Sequence, residues 1–274
     1  MATFAEPSRV RQGQFDVLSG MRRIHSIDRW IFVFMAVWFI AIVLAGFIPS
    51  SLAKIAAVRS GVRPPFPLAL HFHAVLMGSF MLLLLAQTWL LATGRRTLHK
   101  QFGILGIVVA VALVAAGFIL VPTTFYPVWE AAHSATPGAA ERFVGRDQFL
   151  LNNILLQLRA GALFSLFLAI GVAARSRNAG LHKRMMILAP AMALPAAISR
   201  IALLPSTMPV SPLTLDLYLL VAVLPMFTWD LIRNRRVHEA YWIWLGIWLP
   251  VAAAVHLAWD TPWWGSIARQ LMGV

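Results

Sequence analysis

The chain has 274 residues, of which 60% are hydrophobic and 12% are charged. A soluble domain is roughly 45–50% apolar and about 25% charged, so this apolar excess cannot be hidden in one core and excludes a soluble globular fold. The net charge of +13 comes from basic residues in short tracts between apolar runs, a pattern that indicates membrane topology and no nucleic-acid surface, and the chain has no cysteine for disulfides or thiolate metal sites.

Seven apolar stretches follow one another along the chain, and each is long enough to cross a hydrocarbon core of ~30 Å. Backbone polar groups in lipid must bond within their own segment, which predicts helices. The sequence therefore predicts an all-α polytopic membrane protein with a cytoplasmic N-terminal segment, residues 1–29, and a seven-helix transmembrane domain, residues 30–274. The predicted spans are residues 30–48, 67–93, 103–121, 149–174, 185–204, 213–232 and 240–259.

The basic residues of the connections predict the orientation. Fifteen lysines and arginines, Arg184 among them, fall on the side of the N-terminus, and six fall on the other side. Basic residues accumulate in cytoplasmic loops, so the N-terminus is predicted inside and the C-terminus outside, in the inner (plasma) membrane of a bacterium. The longest connection, residues 122–148, is predicted to lie outside and to have room for a short interfacial helix. The six outer residues are Lys54, Arg59, Arg63, Arg142, Arg146 and Arg269.

The second span carries His71 and His73 near its predicted outer face. Ionisable residues inside a span indicate a functional site by default. Positions two apart on a helix point about 200° away from each other, so only one of these imidazoles faces the bundle. His73 shares its face with Met77 and Gln87. The alternative is that the histidines lie at the interface among lipid head groups.

The fourth span contains Asn152, Gln157 and Arg159. An unpaired arginine near the bilayer centre would cost roughly 3 kcal/mol or more, so Arg159 is predicted to face a partner or water. Pairing of Asp216, in the sixth span, with Arg159 or with Arg200 of the fifth span is the structural explanation. Two arginines against one aspartate leave a positive excess, which suits haem propionates, a carboxylate or a lipid phosphate. Asn152, Gln157 and Asp216 are therefore candidate substrate-binding residues.

The seventh span places His256 near its outer end, at a depth similar to that of His73. Two inward histidines on facing helices are the ligands that a bis-imidazole haem requires. His73 and His256 are therefore candidate metal ligands of a haem b, with Arg159 and Arg200 meeting its propionates. Asp260 lies four residues beyond His256 and is predicted to accept a hydrogen bond from the other ring nitrogen. The alternative is a metal-free arrangement in which the histidines bond to backbone or to Asp216.

His99 and His182 form a second candidate cofactor-binding pair on the cytoplasmic side. Each lies near a predicted helix start, in the similar turns Thr97-Leu98-His99-Lys100 and Gly180-Leu181-His182-Lys183. As ligands of a second haem they would complete an electron path across the membrane. The alternative is a pair of solvated basic turns.

Two segments carry a resemblance to an uncharacterised family of bacterial multi-span membrane proteins. The first contains His73, Gln87, Gly94-Arg95-Arg96, Leu98-His99 and Gly103, and the second contains Leu181-His182-Lys183-Arg184-Met185 and Arg200. Together they cover about half the chain, from the second span to the fifth. The resemblance implies a multi-span helical fold and points to His99, His182 and Arg200, without naming a reaction.

A looser likeness is to the membrane domains of b-type cytochromes, in which histidines on neighbouring helices ligate haem near each face. Here the cytoplasmic histidines lie at helix ends and not a turn or two inside. This likeness implies a haem protein that moves electrons, in exchange with quinone.

Four functions fit the sequence. The leading hypothesis is a membrane haem protein for electron transfer. The alternatives are a transport or binding protein for a small anion or lipid, an accessory subunit of a larger membrane complex, and a non-haem metal enzyme using His71, His73 and His256.

Overall fold

The computed structural model describes residues 26–134 and 146–274, and in these two ranges the chain is helical, without a strand. The N-terminal segment up to residue 25, and residues 135–145 of the connection that was predicted at 122–148, lie outside the described residues. The helices are α1 (Ser26–Arg59), α2 (Leu68–Ala92), α3 (Arg96–Ala132), α4 (Arg146–Ala174), α5 (Ala179–Ala191), α6 (Leu194–Ile198), α7 (Leu213–Asn234), α8 (Glu239–Ala258) and α9 (Pro262–Met272).

Six of these helices, α1, α2, α3, α4, α7 and α8, are long and apolar enough to cross a membrane. They coincide with six of the seven predicted spans, so the chain is an all-helical integral membrane protein. Two helices are longer than predicted, because α1 continues through Pro49 and α3 continues through Pro122 and Pro127. A proline removes one hydrogen bond and bends a helix, and here it does not end one. Within α3 the hydroxyl of Thr124 donates to the Leu120 carbonyl at 2.9 Å.

The fifth predicted span, residues 185–204, is not one continuous helix. It begins earlier, at the start of α5, and is broken between α5 and α6. Pro195 has no N–H to offer the carbonyl four residues before it, that of Ala191, and α5 ends at this residue. Turns follow α6 as far as residue 212. The broken segment is nevertheless the most deeply buried part of the bundle, and Met185, Leu188 and Ala197 have no exposed surface.

The bundle has two ends, which we name after two aspartates of α7. At the Asp230 end, Asp230 near the end of α7 contacts Arg184 near the start of α5. At the Asp216 end, where α7 begins, Asp216 contacts Arg159 of α4 and His256 of α8. The α5 helix begins beside the end of α7, at the Asp230 end. The chain then continues through α6 to the start of α7, which lies at the Asp216 end. The α5–α6 segment therefore passes from one end of the bundle to the other.

Glycines let the broken segment approach its neighbours closely. A Cβ added to Gly46 of α1 would lie 2.1 Å from the Ala197 carbonyl oxygen of α6. A Cβ added to Gly171 of α4 would lie 3.0 Å from the Cβ of Met185 in α5. Both contacts involve atoms that are fixed by the backbone, so only glycine fits these positions without moving a helix.

The C-terminal helix α9 was not among the predicted elements. Its sequence is amphipathic, with Trp264, Ala268 and Met272 buried and Trp263 and Leu271 exposed. It packs against α4, where the Trp264 indole donates to the Leu151 carbonyl at 2.9 Å. This contact attaches α9 to the first turns of α4.

Candidate functional site

Arg159, Asp216 and His256 form a triad of polar side chains inside the bundle. Arg159, at the middle of α4, places Nη2 at 2.8 Å from Oδ1 of Asp216 and donates from Nη1 to Oδ2 at 3.1 Å. Nε2 of His256 lies 2.9 Å from the same Oδ2. The arginine and aspartate side chains are only 6% and 7% exposed, whereas the imidazole is 30% exposed. The histidine is thus the accessible member of a buried charged group.

The triad confirms one of the two partners that were weighed for Asp216. Arg159 faces the bundle and pairs with Asp216, as its position in the fourth span predicted. Arg200 does not take part. Its guanidinium lies 4.8 Å from the ring centroid of Phe47 and donates to the Ala196 carbonyl of its own segment. The expected positive excess of two arginines around one aspartate is therefore not formed at Asp216.

A second polar layer lies beside the triad, nearer the start of α4. Nδ2 of Asn152 donates to Oδ1 of Asp260 at 2.6 Å, and Gln148 donates to Oδ1 of Asn152 at 3.3 Å. Asp260 follows α8 with a φ of 57°, in the left-handed region. The prediction that Asp260 accepts a hydrogen bond from His256 is wrong, because this turn directs its carboxylate to Asn152 and Nε2 of His256 is bonded to Asp216. Gln157 is half-buried and bonds to no other described side chain.

The arginine–aspartate pair at the Asp230 end was missed from sequence. Nη2 of Arg184 donates to Oδ1 of Asp230 at 2.7 Å, and Nη1 donates to the Gly180 carbonyl at 2.9 Å. Arg184 was assigned to a cytoplasmic loop, yet its side chain has no exposed surface. The error arose because α5 begins earlier than predicted. Asp230 was the available signal, since an acidic residue inside the sixth predicted span requires a partner.

Two further contacts close the Asp230 end. The Arg233 guanidinium donates to both carboxylate oxygens of Asp28 at 2.9 Å. The Asn178 amide, between α4 and α5, donates to Glu239 at the start of α8. These bonds join α1 to α7 and the α4–α5 turn to α8.

The two histidines that were predicted to ligate haem, His73 and His256, have different neighbours. His73 faces α3, where a Cβ on Gly117 would lie 3.8 Å from its ring, and its Nδ1 is buried without a hydrogen-bond partner among the described residues. His256 faces Asp216 on α7. His71 is exposed and packs its ring against Phe66. Axial ligation of haem b through Nε2 of His256 would require its bond to Asp216 to break, so this arrangement does not fit the predicted ligation. The haem function stays a prediction.

The other two candidate histidines, His99 and His182, lie near each other at the Asp230 end. The ring of His99, on α3, is hydrogen-bonded to the backbone of Gln87 and lies within electrostatic range of His182. Nδ1 of His182 lies 2.8 Å from the Gly171 carbonyl oxygen. Neither ring is the solvated side chain of a basic turn, since His99 and His182 are both half-buried. In residues 26–134 and 146–274, no three histidine, aspartate or glutamate side chains are grouped to hold a metal ion.

Two tryptophans on α8 lie between the two ends of the bundle. The rings of Trp244 and Trp248 are stacked with centroids 5.3 Å apart, and each residue is 2% exposed. Their indole nitrogens are buried and have no hydrogen-bond partner in the described part of the chain. Tyr241, one turn earlier on α8, lies beside Arg184 and Asp230. Two buried donors therefore line the core between the triad and the Asp230 end.

No family model, no curated protein and no solved structure matches this chain.

Proposed function

We propose that the chain is a membrane protein that binds a small anion within its helical bundle and takes up a proton with it, as a proton-coupled transport or binding protein. The observation that carries this proposal is the triad of Arg159, Asp216 and His256. It is a charged group in an apolar bundle whose accessible member can change its charge by accepting a proton.

The charge of the triad sets its preference for ligands. The arginine and the aspartate cancel, so the group is neutral when His256 is neutral and carries one positive charge when His256 is protonated. A net charge inside a poorly polarisable bundle attracts a counter-ion far more strongly than the same charge in water. Protonation of His256 therefore favours an anion, and a bound anion favours the protonated histidine by the same factor.

The indoles of Trp244 and Trp248 add donors for such a guest. An indole N–H only donates, and a buried donor without a partner costs free energy. An anion or another acceptor would satisfy both groups. Trp248 precedes His256 by eight residues on α8, roughly 12 Å along the helix, so the two indoles lie further from the Asp216 end than the triad does. This arrangement gives an anion a succession of partners through the core.

We further propose that the chain crosses the membrane seven times, with the N-terminus in the bacterial cytoplasm. The α5–α6 segment supplies the seventh crossing, since it passes from the Asp230 end of the bundle to the Asp216 end. The excess of basic residues on the Asp230 side supports this orientation. In it, the triad opens towards the outer face and the Arg184–Asp230 pair lies at the cytoplasmic face.

Proton-coupled flux in liposomes tests the proposed function. The full chain is reconstituted with a pH-sensitive dye inside, and an inward gradient of chloride, nitrate or phosphate is imposed. We expect one of these anions to acidify the interior, because anion and proton enter together. His256→Ala should abolish the acidification. His71→Ala is the matched control, since His71 is an exposed histidine away from the triad, and it should leave the flux unchanged.

Asp216→Asn separates anion binding from proton uptake. With the aspartate neutral, Arg159 gives the site a positive charge at every pH. Because the charge of Arg159 is then no longer cancelled by Asp216, we expect the same anion to raise the unfolding temperature of this variant more than that of the unchanged protein. Equal acidification by the unchanged protein, His256→Ala and protein-free liposomes would refute the proposal.

A further inference from the structure

Three buried polar atoms without partners lie where α2 ends and α3 begins. Both side-chain atoms of the Gln87 amide, Nε2 and Oε1, are shielded from solvent and have no hydrogen-bond partner among the described residues. Nδ1 of His99 is likewise shielded from solvent and without a partner among the described residues, while the ring as a whole is hydrogen-bonded to the Gln87 backbone. Native proteins form hydrogen bonds to nearly all their buried polar groups. A buried amide whose nitrogen and oxygen both lack a partner therefore indicates a bound ligand.

The three side chains converge from three helices. Gly103 lies one turn after His99 on α3, and a Cβ there would come 3.8 Å from Nε2 of Gln87. The Gln87 amide therefore lies against the face of α3 that carries His99. His182 of α5 lies within electrostatic range of His99. The site is at the Asp230 end, separate from the triad of the proposed function.

The hydrogen bond of His182 orients its ring. Nδ1 lies 2.8 Å from the Gly171 carbonyl oxygen, which can only accept, so Nδ1 carries the proton. In the neutral ring this leaves Nε2 as an acceptor. Gln87 offers both a donor and an acceptor. The three groups together can bind a ligand that accepts in one state and donates in another.

We propose that Gln87, His99 and His182 bind the head group of a lipid-soluble quinone. The Gln87 amide donates to a quinone carbonyl, and the hydroxyl of the reduced form donates to Nε2 of His182 or to Oε1 of Gln87. The charges of Lys183 and Arg175 act on His182, and this positive surrounding opposes a metal cation. Trp89, Leu98 and Phe102 are exposed apolar residues on the same two helices, where an alkyl tail can enter from the bilayer.

Equilibrium binding to the full chain in lipid nanodiscs tests this site. The probe is a 1,4-benzoquinone with a decyl tail, and an alkylbenzene with the same tail controls for partition into lipid. We expect saturable binding of one quinone per chain and none of the alkylbenzene. Gln87→Leu removes both hydrogen-bonding atoms at similar volume and should weaken the affinity about tenfold, the effect of one lost buried hydrogen bond.

Two controls keep the result interpretable. His71→Ala, on the same helix but exposed, should bind the quinone unchanged. Gln87→Leu should unfold at the same or a higher temperature than the unchanged protein, because it removes unpaired polar atoms from a buried position. Equal affinity of Gln87→Leu and the unchanged protein, or no saturable binding, would overturn the proposal and leave a polar pocket filled by water.

Discussion

Two arginine–aspartate pairs have their aspartate on the same helix, α7, and they differ in how completely they are closed. The Arg184–Asp230 pair has 0% and 1% of its side chains exposed and is completed by the Gly180 carbonyl and Asn234. The Arg159–Asp216 pair, roughly 21 Å along the helix, has 6% and 7% exposed and shares its aspartate with His256. The Arg184–Asp230 pair, whose partners are all fixed, holds its helices together. The Arg159–Asp216 pair shares its aspartate with a histidine, so the charge around it can change when a proton binds.

Removal of Arg184 should have the largest effect on stability. Arg184→Leu leaves Asp230 as an uncompensated charge in the core, and loss of one partner of a buried pair costs about 3–5 kcal/mol. We expect a large fall in the unfolding temperature in detergent, followed by tryptophan fluorescence. Arg175→Leu, an exposed arginine at the same end, is the control and should change little. The double variant Arg184→Leu/Asp230→Leu should recover much of the loss, and its failure to do so would contradict this explanation.

Removal of Arg159 should cost less than removal of Arg184. In Arg159→Leu, the Asp216 carboxylate keeps its contact with Nε2 of His256 at 2.9 Å, so it is not left without a partner. We expect a loss of roughly 3 kcal/mol, at the lower end of the cost of breaking a buried pair. Unfolding temperatures of Arg159→Leu and Arg184→Leu under one set of conditions check the effect. Equal losses in the two variants would remove the distinction between the pairs.

The sequence predicted much of the Asp216 end, because polar residues inside apolar runs are conspicuous. Arg159 required a partner in lipid, and Asp216 was one of few acidic residues in the spans. The bond between His256 and Asp216 was the alternative to haem ligation, and spacing alone could not decide between them. Depth along a helix can be counted from sequence, whereas the direction of a ring around the helix axis is set by packing.

The Asp230 end was harder to predict, for reasons that lie in the backbone. Arg184 follows a basic turn and was therefore counted with the loop, and only the early start of α5 places it in the core. The break at Pro195 was hidden by an apolar run of the right length for a span. Pro122 had the opposite effect, since it was expected to end the third span and α3 continues through it. A proline marks a lost hydrogen bond, and neighbouring helices decide whether the helix continues.

The contact between α4 and α5 connects the two pairs, because Arg159 lies on one helix and Arg184 on the other. Gly171→Ala adds a Cβ 3.0 Å from the Cβ of Met185 and should force the helices apart. Overpacking of this kind costs about 1–3 kcal/mol, which we expect as a lower unfolding temperature. Gly246→Ala, where a Cβ would meet no atom within 4 Å, is the matched control and should be neutral or slightly stabilising. A neutral Gly171→Ala would show that the two pairs tolerate movement between their helices.

The smallest effect is expected between the two ends, at the indoles of α8. Trp244→Phe removes a buried N–H that has no partner among the described residues and keeps a ring to stack on Trp248. Trp264→Phe is the control, because it shrinks a buried ring in the same way and also loses the bond from the indole to the Leu151 carbonyl at 2.9 Å. Trp244→Phe should therefore cost about 1 kcal/mol less than Trp264→Phe. Chemical unfolding of the two variants under one set of conditions measures the difference. If Trp244→Phe loses as much stability as Trp264→Phe, its N–H already has an acceptor such as buried water. If Trp244→Phe keeps its stability but slows anion-driven acidification in liposomes, the indole N–H of Trp244 acts on the anion.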